Sequence, residues 1–290
     1  MSDTRKSGGA GGGIDQFEEL KQRILDEADR LGLDDSFTFS CNPGVSCFNE
    51  CCGDVNIVLT PYDVLRLKRR LGMSSTELLQ RYTIKPFTKD QKLPVVLLKM
   101  DDGRAGKPCQ LVTEKGCSVY EDRPWPCRMY PLGQASARTE ADPDGPEFFF
   151  LMQEEGCKGF EEDRRYTIRQ WLDDQGVAEY NEWGELFKEI TLHPRLRTLE
   201  LNPHQMEMYH TACYDLDRFR GFVFESSFLD KYDVEPKVVE AMREDDEALL
   251  RFAFRWLKTC LFGEQTVKLK QDTVEQYKQR LAEQGMKIKE

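Results

Sequence analysis

No run of apolar residues in this sequence approaches the roughly 20 that a membrane-spanning helix requires, so no membrane partner is expected. Positive charge is in short supply: 41 Lys and Arg face 52 Asp and Glu, a net charge of −11 that disfavours bulk binding to nucleic acid or to an anionic membrane surface. No G-x-G-x-x-G follows a strand pattern and no G-x-x-x-x-G-K-[ST] occurs, which leaves nucleotide binding unsupported. A site for S-adenosylmethionine, an internal repeat and a cysteine nucleophile with a histidine partner are equally absent. Histidine is scarce, with three residues in 290, and none of them falls between Cys41 and Cys157.

What that same stretch does hold is cysteine. Eight of the ten cysteines lie there: Cys41, Cys47, the adjacent pair Cys51 and Cys52, then Cys109, Cys117, Cys127 and Cys157. A metal bound by them would be held mainly or wholly by sulfur, and soft thiolates select zinc, copper(I) or iron–sulfur clusters over calcium, magnesium or manganese. The chain is long enough to bury a core without disulfide staples. Its first residues, Met1 to Gly13, are polar and glycine-rich and read as a disordered tail rather than a signal segment, which makes the expected location cytoplasmic. In a reducing cytosol, clustered cysteines are more often metal ligands than disulfides.

Eight thiolates divide into two four-coordinate sites. Adjacent side chains on an extended backbone point to opposite faces, so Cys51 and Cys52 are not expected to chelate one ion side by side. One serves each of two sites, or one bridges, or one is simply buried. Only Cys47-x3-Cys51 falls within the usual knuckle spacing of structural zinc, and iron–sulfur clusters tolerate looser spacing, so the spacing leaves zinc and iron both open.

The patterning predicts an α+β fold: a disordered tail over 1–13, a small loop-rich, cysteine-ligated metal domain with short strands over 14–160, and a mainly α-helical half over 161–290. A helix is expected over 14–33, a strand at Phe37 to Phe39, and another at Val55 to Leu59. Thr60, Pro61 and Asp63 announce a helix start, and Ser74 with Glu77 has capping-box spacing for a second. Arg66, Lys68, Arg69 and Arg70 read as a solvated face of the first helix. The Leu93 to Met100 strand, ended by Asp101-Asp102-Gly103, is expected to pair with Gln110 to Val112 or with Glu147 to Gln153. Helices are expected over 166–174, 177–190, 204–229, 236–262 and 264–284, with breaks at Gly176, His193-Pro194, Asn202-Pro203, Glu235-Pro236 and Gly263. Within them Cys213 and Cys260 read as buried free cysteines, His204 as a helix cap, and His193 and His210 as residues without a ligand role.

Around Cys127 the chain reads Gly116-Cys117-Ser-Val-Tyr120-Glu-Asp-Arg123-Pro124-Trp-Pro126-Cys127-Arg128-Met-Tyr130-Pro131. The prolines fix φ and remove donors, and Arg123 and Arg128 either offset the charge of a thiolate-ligated metal or pair with surface carboxylates such as Glu121 and Asp122. Taken with the block from Cys47 to Cys52, this stretch resembles the YkgJ-like cysteine-cluster family, described as zinc- or iron-chelating. Gly116-Cys117, Tyr120, Arg123-Pro124, Cys127-Arg128 and Tyr130-Pro131 match its second block, while the family's C-x2-C-x2-C-C opening appears here with gaps of five and three. The resemblance spans roughly 37–159 and implies metal chelation in a bacterial cytoplasmic protein. Flagellin lysine N-methylases look like relatives in the same cysteine pattern.

The function expected is therefore chelation of zinc or iron, the latter also as an iron–sulfur cluster, through Cys41, Cys47, Cys51, Cys52, Cys109, Cys117, Cys127 and Cys157. An iron–sulfur-dependent enzyme and an intracellular metal carrier are the alternatives.

Overall fold

The structure, a computed structural model, describes residues 28–86, 92–136 and 147–283. The fold is α+β, with short antiparallel strands mainly in the first half and helices dominating the second. The expected tail over 1–13 and the first part of the helix expected over 14–33 lie outside the described residues. From residue 28 onward that helix is not formed, because Leu31 exchanges both backbone bonds with Phe149 (2.8 and 3.0 Å) and its peptide groups are committed to a β-bridge. No helix of the described residues is long and apolar enough to cross a membrane.

Two compact units interleave along the chain. One comprises Met1–Phe48 and Met129–Gly176, the other Asn49–Arg128 and Val177–Glu290, a grouping different from the boundary expected near residue 160. The larger unit explains the difference: residues of its first segment are buried by helices of its second. Tyr62 stacks on Trp183 with ring centroids 5.0 Å apart and meets Tyr180 edge-on at 5.1 Å. Full burial of such a side chain contributes about 1.5–3 kcal/mol.

In that unit Thr60 and Asp63 form a reciprocal capping box at the start of the Pro61–Leu71 helix, with proline at its first position. Gly72 ends it at φ 63°, in the left-handed conformation that glycine tolerates best. Ser74 and Glu77 cap the Ser75–Tyr82 helix in the same way. The Val96–Leu98 strand lies between Val58–Leu59 and Thr83–Ile84 in a three-stranded antiparallel sheet, so neither expected partner is used. With Leu98 N–H bonded to Ile57 and Lys99 N–H to Tyr82, both of its edges are taken.

Of the basic residues of the first helix, Arg69 and Arg70 are exposed as expected, whereas Arg66 and Lys68 are not a solvated face. Arg66 joins Asp122 (2.7 Å) and Glu179 (3.0 Å), while Lys68, 12% exposed, joins Asp217 (2.8 Å) and Asp246 (3.1 Å). They form an ion-paired seam between the two segments of this unit.

Among the helices after residue 176, Val177–Thr191 matches its expected span closely. The expected 204–229 helix is three, Pro203–Tyr214, Leu216–Glu225 and Phe228–Lys231. Asp245 interrupts the 236–262 span by accepting Glu247 N–H, which starts the Asp246–Phe262 helix afresh. The final helix begins only at Gln271, because Lys268–Leu269 pairs with Tyr232–Asp233.

The smaller unit is built on two antiparallel strand pairs. Ser36–Thr38 pairs with Arg165–Thr167, and Leu132–Ser136 with Glu147–Leu151. Phe39, 1% exposed, sits among Tyr130, Phe160 and Trp171. Thr167 caps the Ile168–Asp174 helix, whose Trp171 donates its indole N–H to the Met129 carbonyl (3.3 Å).

Candidate metal centre

Five of the eight predicted ligands lie in the larger unit and three in the smaller. In the larger unit the site begins at Asn49, whose φ of 71° turns the chain into a 3-10 helix, Glu50–Cys52; asparagine is among the few residues that enter this region readily. The Asn49 amide donates to the Thr113 carbonyl (3.0 Å), which ties this turn to the Val112–Thr113/Gly116–Cys117 hairpin. Cys52 then accepts the Cys109 N–H at 2.7 Å, and Asp54 N–H bonds the Lys107 carbonyl at 3.0 Å. Between them Gly53 passes so close to its neighbour that a Cβ there would lie 2.3 Å from the Gly106 carbonyl oxygen. Only glycine allows that approach.

Cys109 is held from both directions: its sulfur accepts the Leu111 N–H (3.4 Å) and its carbonyl accepts the Val112 N–H (3.1 Å). Cys117 faces Val112 across the hairpin, whose turn returns through Gly116 at φ 107°. Both cysteines pack against the apolar core. From Cys117 the chain runs through a 3-10 turn, Tyr120–Asp122, to the Trp125–Met129 helix that carries Cys127.

Arg123 and Arg128 brace that loop from inside. They are 7% and 6% exposed. Arg123 donates to the Tyr120 carbonyl (2.6 Å) and lies over its ring, whereas Arg128 donates to the carbonyls of Arg123 (3.0 Å) and Glu121 and stacks on Tyr180. Of the two readings drawn from sequence, surface pairing does not describe residues so deeply buried.

The electrostatics of this set are those of a thiol cluster. Burial pushes the Cys127 thiol up to about 12, aided by negative charge at Cys109, Asp63 and Cys117 and opposed by the Arg123 guanidinium. Cys52 is driven up further, first by its hydrogen bond with Cys51, then by burial and by charge at Cys51, Cys127 and Cys109. Cys109 and Cys117 are also raised, chiefly by burial, with backbone N–H groups of Leu111 and Val119 opposing. Each thiolate thus makes the next harder to form, and a soft cation reverses that sign, so the donor set fits a thiophilic metal. Among the described residues no three His, Cys, Asp or Glu side chains stand as a ready-made coordination shell.

In the smaller unit the chain folds back so that Ser40 N–H bonds the Gly159 carbonyl (2.9 Å), which brings the backbone at Cys41 beside that following Cys157. Cys47 accepts the Lys158 N–H on its sulfur at 3.1 Å. Cys41 is exposed, and Cys47 and Cys157 are half-buried.

The remaining candidates have other roles. Cys213 is fully buried as expected, and Cys260 is half-buried beside the Tyr232 hydroxyl. Asn202, not His204, caps the Pro203–Tyr214 helix; the shorter amide side chain reaches the Gln205 N–H at 2.9 Å. His193 accepts the Arg195 N–H on Nδ1 and meets Glu264 through Nε2 (3.1 Å). His210 is 6% exposed, its Nε2 has no hydrogen-bond partner, and burial lowers its pKa to about 4. Sequence reasoning passed over Asp63 as more than a cap, along with Asn49 and Gly53. Asn49 and Gly53 flank the double cysteine and carry a signal in their residue type; Asp63 carries none beyond its capping-box spacing.

Residues 40–158 match a family model described as "CxxCxxCC: Putative zinc- or iron-chelating domain", the same family that the cysteine pattern resembles. The match spans all eight clustered cysteines and less than half of the chain. No curated protein matches the chain, and no solved structure does.

Proposed function

We propose, from the premise that residues 40–158 form a zinc- or iron-chelating domain of this cysteine-cluster family, that the principal centre is held by Cys52, Cys109, Cys117 and Cys127, with Cys51 beside Cys52. One observation carries the reading. Three separate pieces of backbone, tied together at Cys52–Cys109, at Asn49–Thr113 and through the hairpin, bring half-buried thiols within mutual electrostatic range in one unit. Arg123 supplies a buried positive charge facing Cys117 and Cys127, which suits a thiolate shell carrying surplus negative charge. Since no ready-made shell stands among the described residues, chelation is coupled to local ordering, and metal affinity is in part folding energy. As zinc the ion supplies that ordering; as an iron–sulfur cluster it also supplies one-electron chemistry. Cys41, Cys47 and Cys157 form the second thiol set, one that Lys158 N–H prepares by bonding Cys47. The thiols must stay reduced to ligate, so a cytoplasmic setting belongs to this reading.

Elemental analysis with an optical spectrum of anaerobically purified protein tests it. Stoichiometric zinc in a colourless protein, or iron with visible charge-transfer absorption, is the expected result. Single changes of Cys52, Cys109, Cys117 and Cys127 to Ser should each lower metal content, and full metal content in all four variants overturns the assignment. A metal carrier is the second reading, favoured by the exposure of Cys41 and Cys51. It requires release to a competing chelator within minutes, and a centre that holds its metal for days excludes it.

A further inference from the structure

We infer that Asp63 is a positioning residue of the centre: by holding the first amide of the Trp125–Met129 helix, its carboxylate fixes where Cys127 stands. The inference rests on Cys127 being a ligand, as proposed above. Its geometric basis is independent of the thiols.

Asp63 is 0% exposed, and both of its oxygens are used. Oδ2 accepts the Thr60 N–H (2.7 Å) and the Thr60 hydroxyl (2.8 Å), which closes the capping box of the Pro61–Leu71 helix. Oδ1 faces elsewhere and accepts the Trp125 N–H at 2.7 Å, across 62 residues of sequence. A cap needs only the first set of bonds. The second serves the helix that carries Cys127.

That helix depends on outside support. It has five residues, far short of what a helix needs to persist alone. Pro124 and Pro126 contribute no N–H, and Arg128 N–H to the Pro124 carbonyl (3.1 Å) closes its one turn. Its anchors include the Trp125 indole N–H on Asn181 (2.7 Å), the Arg128 side chain on the Arg123 and Glu121 carbonyls, the Trp171 indole N–H on the Met129 carbonyl, and Asp63. Asp63 is the acidic one, a charged acceptor for a backbone N–H, and the Arg128 guanidinium lies within electrostatic range. Only Pro126 separates the residue it grips from Cys127, so a shift of Trp125 is passed to the sulfur with little slack. Residues that orient a ligand in this way, without touching the metal, change affinity by roughly 10- to 100-fold when altered.

Asp63→Asn keeps the shape but leaves one donor facing an amide N–H. Thr60→Ala weakens the same capping box while leaving the Asp63–Trp125 bond in place. Zinc affinity is measured by chelator competition and the cobalt(II)-substituted protein by its thiolate-to-metal absorption, with the melting temperature of the metal-free forms recorded beside them. Thr60→Ala should melt lower and bind zinc as the wild type does. Asp63→Asn should also bind zinc about 10- to 100-fold more weakly and lose intensity in the cobalt–thiolate band. Equal zinc affinity in the two variants, or an unchanged cobalt spectrum in Asp63→Asn, overturns the inference. If Cys127→Ser retains full affinity, the ligand assignment itself fails. If Cys127→Ser loses zinc and Asp63→Asn does not, only the positioning role fails.

Discussion

The two thiol sets are built from the same residue type on different supports. In the larger unit Cys109 and Cys117 pack on a core that includes Tyr62, Trp183 and Val119, and each of the three backbone pieces is pinned by bonds that do not involve sulfur. In the smaller unit the thiols hang on a turn, Asn42 to Val45, and on the backbone after Cys157, with Cys41 exposed. Burial on a core raises a thiol's pKa and makes an uncompensated thiolate expensive, so a cation there replaces a penalty with an attraction. An exposed thiol gains less, because water already solvates its charge. The larger unit is therefore where metal should bind tightly, and the smaller unit where it should exchange.

The strongest way to break this contrast is to remove one ligand from each set. Cys127→Ser should weaken the tighter metal by more than the 10- to 100-fold typical of a supporting residue, while Cys47→Ser should leave that metal in place and affect only a faster-exchanging fraction. Equal losses in the two variants would erase the distinction. Thiol labelling of metal-free protein gives the same contrast without metal: exposed Cys41 should alkylate well before Cys127, by orders of magnitude at pH 8 given that burial holds the Cys127 thiol near 12.

Gly53→Ala comes next in size. A methyl group forced against the Gly106 carbonyl should cost about 1–3 kcal/mol of stability by thermal melting and lower zinc retention with it. Unchanged retention would show that the Cys52–Cys109 backbone pairing is dispensable. Arg123→Met should then weaken metal binding about 10-fold, read by chelator competition at constant pH, and lower the melting temperature through the lost Tyr120 brace.

The smallest effect is in pH, within the larger unit alone. His210 has a folded pKa near 4 against an ordinary 6.5, so the unfolded chain takes up its proton first and stability is lost as pH falls from 6.5 towards 4, by at most about 3 kcal/mol. Asp63 runs the other way. Its folded pKa near 6 exceeds the ordinary 3.8, so the folded state protonates first and gains relative stability between pH 6 and 4. The two nearly cancel, and His210→Gln should uncover a melting temperature that rises on acidification over that window; a flat profile in the variant would contradict the raised pKa of buried Asp63.

Much of this was legible in the residues themselves. Capping boxes at Thr60 and Ser74, helix starts at Pro203 and Pro236, and the glycine stop at Gly263 follow from local chemistry that operates within four residues. The α+β character and the likeness of the cysteine-rich stretch to a zinc- or iron-chelating family were likewise readable. What was not readable depends on partners far away in sequence. Nothing near Val96 says that Val58 and Thr83 flank its strand, nothing near Lys68 says that Asp217 and Asp246 await it, and Asp63 looks like any acid in a first turn until Trp125 is placed beside it. Similarly, Asp215 and Asp245 interrupt helices that apolar periodicity alone would carry through.

The interleaving of the two units has a consequence for synthesis. The Asn49–Arg128 segment, with Cys51, Cys52, Cys109, Cys117 and Cys127, leaves the ribosome before the Val177–Thr191 helix that supplies Tyr180 and Trp183 to its core. At roughly 5–20 residues per second, those thiols spend seconds in solvent before their apolar backing exists. The nascent chain thus passes through a period in which these thiols are most accessible and least organised, and capture of metal then, rather than by the finished fold, would order the loops ahead of the helices that later enclose them.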